Sequence, residues 1–198
     1  MVSGTKSRKT LNEAFIDDYG LLREAREGLL AMCRNDLPRG IVLYRFTKTD
    51  SLIKIPRELR YTGKWWVPYS PFESLKQYAK LRGHTLCDAA LKCLAIDPEW
   101  SDGKIDLLLK VVVNEPLSAW AGTPKTQSQI EKRLHDDDPR RYTGKTFEPD
   151  RDITQVFIPG LDRYPAGSKR CIGEIAFVVK PDVRIDTFGT EDWAQWPC

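Results

Sequence analysis

Two charged residues of this chain stand where charge is costly. Glu174 sits in the apolar stretch GEIAFVV, and Arg45 sits inside the β-type run IVLYRF. A buried charge costs free energy unless it is paired or reaches a cleft. Arg45 is therefore either an edge-strand arginine with its head in water, or an anion-binding arginine at a strand end. Glu174 either faces solvent or does chemistry. Between them, GKWWVPYSPF gathers Trp65, Trp66, Tyr69 and Phe72. In a core these aromatics are packing; in a cleft they are a stacking surface for a planar ring. His84 has no acid or second histidine to work with and reads as a cap or surface residue. The five cysteines are odd in number and scattered, with neither metal spacing nor a disulfide framework. They read as buried free thiols in a reducing compartment.

The elements that would position these residues follow from pattern. Residues 11–33 have near-helical apolar spacing, interrupted by Gly20, so one helix or two fit equally. Residues 41–46 read as a strand, 49–60 as a short helix or loop, and 64–67 as a short strand after a glycine turn. Ser70-Pro71 fits an N-cap followed by proline in the first helical position, with the helix running to Gly83. Residues 85–96 predict a second helix. IDLLLKVVV is the strongest strand signal and reads as buried and central. Residues 117–121, 153–158, 172–179 and 183–186 also read as strands. A polar helix is predicted over 127–135 and a charged loop over 136–152. Trp193 and Trp196 are placed to pin the C-terminus to the body. The expectation is an α+β fold of about six to eight short strands, with helices gathered in the N-terminal half.

The 198 residues allow one sizeable core plus a helical extension, divided here as 1–40 and 41–198. A net charge of +3 does not by itself argue for a nucleic-acid partner, which usually shows as a strongly basic face, and none is expected. No apolar run approaches the ~20 residues of a membrane span. The basic lead MVSGTKSRKT has no apolar segment behind it, so it is no secretory signal. GxGxxG, GxxxxGK[ST] and GxSxG patterns are absent, which removes the Rossmann, P-loop and serine-hydrolase readings.

Three pieces occur in a telling order: LYRF with Arg45, GKWWVPYSPFESLKQYA, and GEIAFVVKPDV with Glu174. In this order they resemble the ADP-ribosyltransferase superfamily, in particular small bacterial toxin and effector domains, over residues 41–186. LSAWAG, Gln127 and ITQVFIPG resemble the middle of such domains more weakly. The resemblance implies a split β-sandwich with an NAD cleft between its sheets and no metal. Arg45 would hold the phosphate or ribose side of NAD, since a planar guanidinium can bond two oxygens at once. Trp65, Trp66 or Tyr69 would flank the nicotinamide. Ser70 would match the serine or threonine that supports the glutamate. Glu174 would be catalytic, its carboxylate favouring the positive charge that develops on the ribose as nicotinamide leaves. The loop at 159–170, with Arg163 and Tyr164, would recognise the target.

Two departures narrow this. Val67 follows the tryptophans where many relatives have serine or threonine, and Ser70 fits a helix cap equally well. Ile172 stands where protein-modifying members place a second Glu or Gln. Gln155 could supply a polar group from a neighbouring strand, or simply end one. The leading expectation is a mono-ADP-ribosyltransferase toxin or effector, soluble and delivered into a target cell by a secretion system. Its acceptor would be a host or competitor macromolecule, and an immunity protein or chaperone would be its partner. An NAD glycohydrolase using water is the alternative. A non-catalytic binding module with Arg45 and Glu174 as a structural ion pair is the third reading.

Overall fold

The computed structural model describes residues 10–56, 59–94, 96, 105–131 and 141–185. The basic lead, the charges around His135, Asp186 and the C-terminal tryptophans lie outside the described residues. After a 3-10 turn, Glu13–Phe15, the elements are α1 (Tyr19–Gly28), β1 (Leu29–Leu37), β2 (Val42–Thr47), α2 (Thr49–Ile53), β3 (Trp65–Pro68), α3 (Tyr69–Arg82) and α4 (Leu86–Cys93). Then come β4 (Leu107–Val113), β5 (Leu117–Pro124), β6 (Gln127–Glu131), β7 (Arg141–Phe147), β8 (Gln155–Phe157), α5 (Ile172–Ala176), β9 (Phe177–Val179) and β10 (Val183–Arg184). The class is α+β, with four of the five α-helices among the described residues in the first half, as the sequence pattern implies.

Eight strands form one antiparallel path, β1-β5-β8-β3-β2-β4-β10, with β9 also on β4; β6 and β7 make a separate hairpin. The path bends into two halves at β3. Its first residues, Trp65 and Trp66, pair with β8, while Val67 and Pro68 pair with Tyr44 and Leu43 of β2. The two halves then pack face to face. Leu43, Leu109 and Val111 from one half meet Leu117, Ala119 and Val156 from the other, with Trp66 between them, all fully buried.

Strand alternation assigns the opposite faces. Tyr44 and Val67 pack with Phe72 and Leu75 of α3 and Ala89 and Ala90 of α4. Phe157 packs with Leu21 and Ala25 of α1. The order of layers is thus α1, half-sheet, half-sheet, α3 with α4. Asn12 ties the leading segment down: its side chain donates to the carbonyls of Ser118 and Pro159 at 2.8 and 3.0 Å and accepts from Ser118 N–H at 2.8 Å. Among the described residues no helix is long and apolar enough to cross a membrane.

Several local expectations are corrected. Asp18 caps α1 by accepting from Leu21 N–H, so Gly20 lies inside the first turn and does not divide the helix. Leu29 and Cys33 fit the helical spacing, yet they belong to β1, where seven of the nine residues pair with β5 across a bulge between Leu30 and Cys33. Sheet hydrogen bonding overrides the local pattern there. The expected polar helix and charged loop instead contain the two strands of the β6–β7 hairpin. Residues 172–176 are helical, not extended. Arg163 and Leu161 carbonyls accept the first two N–H groups of α5 at 2.8 Å, and Glu174 caps the N–H of Cys171 at 3.2 Å. Helix α3 begins at Tyr69 behind Pro68, so Ser70 is not its N-cap.

Trp66 is wholly buried between the halves, its ring 5.2 Å from that of Phe177. Trp66→Ala is expected to lower the unfolding free energy by about 3–5 kcal/mol, measured by urea denaturation, because the cavity cannot collapse between two sheets.

Candidate active site

The parting of β2 from β3 creates the site. The two strands pair only through Leu43 and Tyr44, so past Tyr44 there is no ladder between them. Helix α1 covers one half of the sheet and α4 the other, leaving an uncovered groove over the bend. This groove is a cleft of about 460 Å³. Its floor is Tyr44 and Phe46 of β2, Trp65 and Val67 of β3, and Gln155 of β8. Glu24, Glu27 and Gly28 of α1 form one wall, and Leu94 and Ile96 form the other. A second cavity of about 240 Å³ adjoins it, lined by Arg60, Thr62, Gly63, Lys64 and Asp162 among others. Glu24, Arg45 and Trp65 border both.

Arg45 is the electrostatic centre of this arrangement. Burial pushes its guanidinium down to about 10, with no carboxylate acting on it. Among the described residues it donates to the carbonyl of Arg60, at a long 3.4 Å. No described carboxylate lies within ion-pair distance. A buried charge left this way is either a defect or a ligand site. The surroundings favour a site, because Gly63 is required to make room: a Cβ there would collide with Arg45 Cζ. Gly28 plays the same part for Trp65, whose ring would meet any side chain at that position. Trp65 is held by an edge contact with Phe157 at 4.9 Å. Gln155 is 8 % exposed, and its amide has no hydrogen-bond partner among the described residues. A buried amide facing a cavity with free donors and an acceptor is a group arranged to meet a ligand.

The sequence-derived candidates separate into two sets. Arg45, Trp65 and Gln155 come together in the cleft. Trp66 is core, and Tyr69 and Ser70 are exposed on the first turn of α3. Val67, noted as a departure, lies on the cleft floor. Arg163 and Tyr164 are exposed on the loop after β8. Glu174 lines neither cavity. Its carboxylate is engaged by the N–H of Cys171 and by Arg170 Nε at 3.8 Å. Arg45 and Glu174 are therefore not an ion pair, and the structural-pair arrangement is not what the chain adopts.

The residues not anticipated are Glu24, Glu27 and Gly28 on α1, Arg60 and Gly63. Glu24 holds Lys64, the residue directly before β3, at 2.5 Å, and Glu27 holds Arg23 at 2.9 Å. The glycine directly before Lys64-Trp65-Trp66 was the available signal. It serves close approach, not a turn.

Replacing an unpaired buried cation by an apolar isostere relieves its desolvation, so Arg45→Met is expected to raise stability by about 1–3 kcal/mol while removing the anion site. The sign follows from linkage. The folded state holds the proton of Arg45 less tightly than the unfolded chain, so stability conferred by losing it appears only as pH rises above about 10. The Arg45→Met gain should therefore be flat between pH 6 and 9 in thermal melts; a loss of stability would identify Arg45 as a structural residue. Gly63→Ala is expected to destabilise by roughly 1–3 kcal/mol by overpacking. That cost should shrink in the Arg45→Ala background, a coupling read from a double-mutant cycle.

No protein-family model matches the chain, and no curated protein does. Among solved structures it is similar to that of Tne2 in complex with Tni2, at 10% identity and a TM-score of 0.41, over 79% of this chain and 96% of that chain.

Proposed function

We propose that the chain is an NAD-consuming enzyme of the ADP-ribosyltransferase type, a toxin or effector domain that breaks the nicotinamide–ribose bond. The observation that carries this reading is Arg45, a buried guanidinium without a carboxylate, set where an apolar, aromatic cleft meets a polar one. A dinucleotide has the complementary layout, with planar rings flanking a diphosphate. The nicotinamide end would lie against Trp65 in the larger cavity, with the diphosphate at Arg45.

In the reaction the C–N bond breaks with its electron pair leaving on nicotinamide, and the ribose carbon becomes oxocarbenium-like. Glu24 is engaged by Lys64, so of the two carboxylates on the cleft wall Glu27, which shares its charge with the exposed Arg23, would supply negative charge toward that carbon. Gln155 bonds the sugar hydroxyls or the incoming nucleophile. The acceptor adds to the cationic carbon and releases a proton.

Gln155 also favours a second reading, NAD hydrolysis. The buried free polar group in the cleft is an amide, which can orient water but cannot take a proton from an acceptor side chain. Free ADP-ribose would then be the product, and an immunity protein covering the cleft would be the partner.

The test is nicotinamide release from NAD by the wild type and by Arg45→Ala, Gln155→Ala and Glu174→Gln. The Arg45 and Gln155 variants should each lose ~100-fold or more in rate, the magnitude expected for one preorganised contact. Glu174→Gln should stay close to wild type, because its carboxylate faces neither cavity. Absence of release by the wild type would end the proposal. Label appearing on protein with no free ADP-ribose would select transfer over hydrolysis.

A further inference from the structure

The cleft distributes its counter-charge against expectation. Arg45 is the buried cation of the site, and among the described residues no carboxylate acts on it. Glu24 borders both cavities together with Arg45, yet its carboxylate pairs with Lys64 Nζ at 2.5 Å. Lys64 is the cation that needs a partner less. Its side chain is 27% exposed, and a lysine stem readily delivers its ammonium to water. Desolvation alone favours the other pairing, Glu24 with the guanidinium, which a carboxylate bonds through two N–H groups at once.

The pairing that the chain adopts is built from both sides. Ile158 N–H donates to the Lys64 carbonyl at 2.8 Å, which fixes the lysine backbone beside the end of β8. Lys64 Nζ lies 5.9 Å from the centre of the Phe157 ring. On α1, Glu24 and Gly28 stand one turn apart and share a face. Gly28 seats that face against the ring of Trp65, which brings Glu24 to Lys64. Lys64 also follows Gly63, the glycine against which the Arg45 guanidinium lies. One stretch of backbone thus packs the guanidinium and carries the lysine that occupies Glu24. The other described carboxylates bordering the two cavities have cations of their own: Glu27 faces Arg23 at 2.9 Å, and Asp162 faces Arg163 at 3.9 Å.

We propose that Lys64 is a positioning residue of the cleft: it holds the Glu24 carboxylate away from Arg45 and so keeps the guanidinium open to an anionic ligand. Without Lys64 the carboxylate is released on a helix face that borders both cavities, and the unpaired guanidinium is the charge that attracts it. The resulting internal ion pair would stand in the place of ligand. Partly exposed pairs such as Glu24–Lys64 add little to stability, so the worth of this one lies in the state of Arg45. The role rests on reading the cleft as an NAD site, and it adds the residue that keeps that site open.

Two measurements test this, one of which needs no substrate. In urea unfolding, Arg45→Met should stabilise the otherwise wild-type chain. In the Lys64→Met background, where Arg45 has acquired Glu24, that gain should vanish or reverse. In the background of Lys64→Met with Glu24→Gln it should return. Methionine keeps an apolar stem beside Phe157, so packing there is retained. In nicotinamide release, Lys64→Met should raise KM for NAD by roughly 10- to 100-fold, the worth of one hydrogen bond to a charged group, with kcat changed less. Lys64→Arg, which keeps the charge, should avoid most of that loss, and adding Glu24→Gln to Lys64→Met should recover it. An equal Arg45→Met gain with and without Lys64 would overturn the role. So would a KM raised as far by Glu24→Gln as by Lys64→Met with no recovery in the double variant, the mark of a merely structural pair. Release by the wild type that is indifferent to Lys64 would keep the reaction and remove the role. No release by any variant would remove the reaction and leave the unfolding cycle to decide the role.

Discussion

The structure depends on one buried charge with no carboxylate partner among the described residues. Arg45 holds a guanidinium inside the fold on a β-strand, where among the described residues it donates one long hydrogen bond, to the carbonyl of Arg60. Keeping it there costs stability at neutral pH, and the fold makes local concessions to do so. Gly63 gives up its side chain, and β3 leaves β2 after two residue pairs. A protein retains such a cost where activity needs it. The bend in the sheet, the two cavities and the position of Trp65 can all be described by their relation to that guanidinium.

The segment before the first strand of the core is part of this arrangement. Helix α1 looks dispensable in sequence, a helical lead ahead of an α+β body. In the fold its last turns wall the cleft, its Gly28 lies against the ring of Trp65, and its Glu24 reaches Lys64 directly before β3. The strand that follows, β1, completes the half-sheet through β5. Carboxylates at the cleft thus come from one end of the chain, while Glu174, near the other, serves the cap of a five-residue helix. A carboxylate that closes a helix terminus is satisfied locally, and its place among apolar residues needs no cleft to explain it.

Much of the architecture was legible. IDLLLKVVV reads as a central strand and is one, paired along one edge by β2 and along the other by β9 and β10. The helices at 69–82 and 86–93 follow from spacing and from Thr85 and Gly83 at their ends. Failures fell where local pattern and long-range pairing disagree. Residues 29–33 have helical spacing but pair with β5, and residues 172–176 have strand composition but find helix caps in Cys171 and Glu174. Short elements have few residues over which a period can assert itself, so their neighbours decide.

By itself the sequence determined that the chain is α+β, that Arg45 is an anomalous cation within an apolar strand, and that tryptophans accompany it. These are properties of residue type and period, which act locally. Only the tertiary structure decided which anomalies share a space. Trp65 and Trp66 are adjacent in sequence but face opposite sides of the sheet, so one lines the cleft and the other fills the core. Gln155, Arg60 and Gly63 are ordinary in composition and gain their meaning from Arg45, which reaches them only because β2 and β3 separate. Glu174 is conspicuous in sequence and loses that standing because α5 turns its carboxylate to its own N-terminus. Burial and partners are relations between distant residues, and they are settled by the fold.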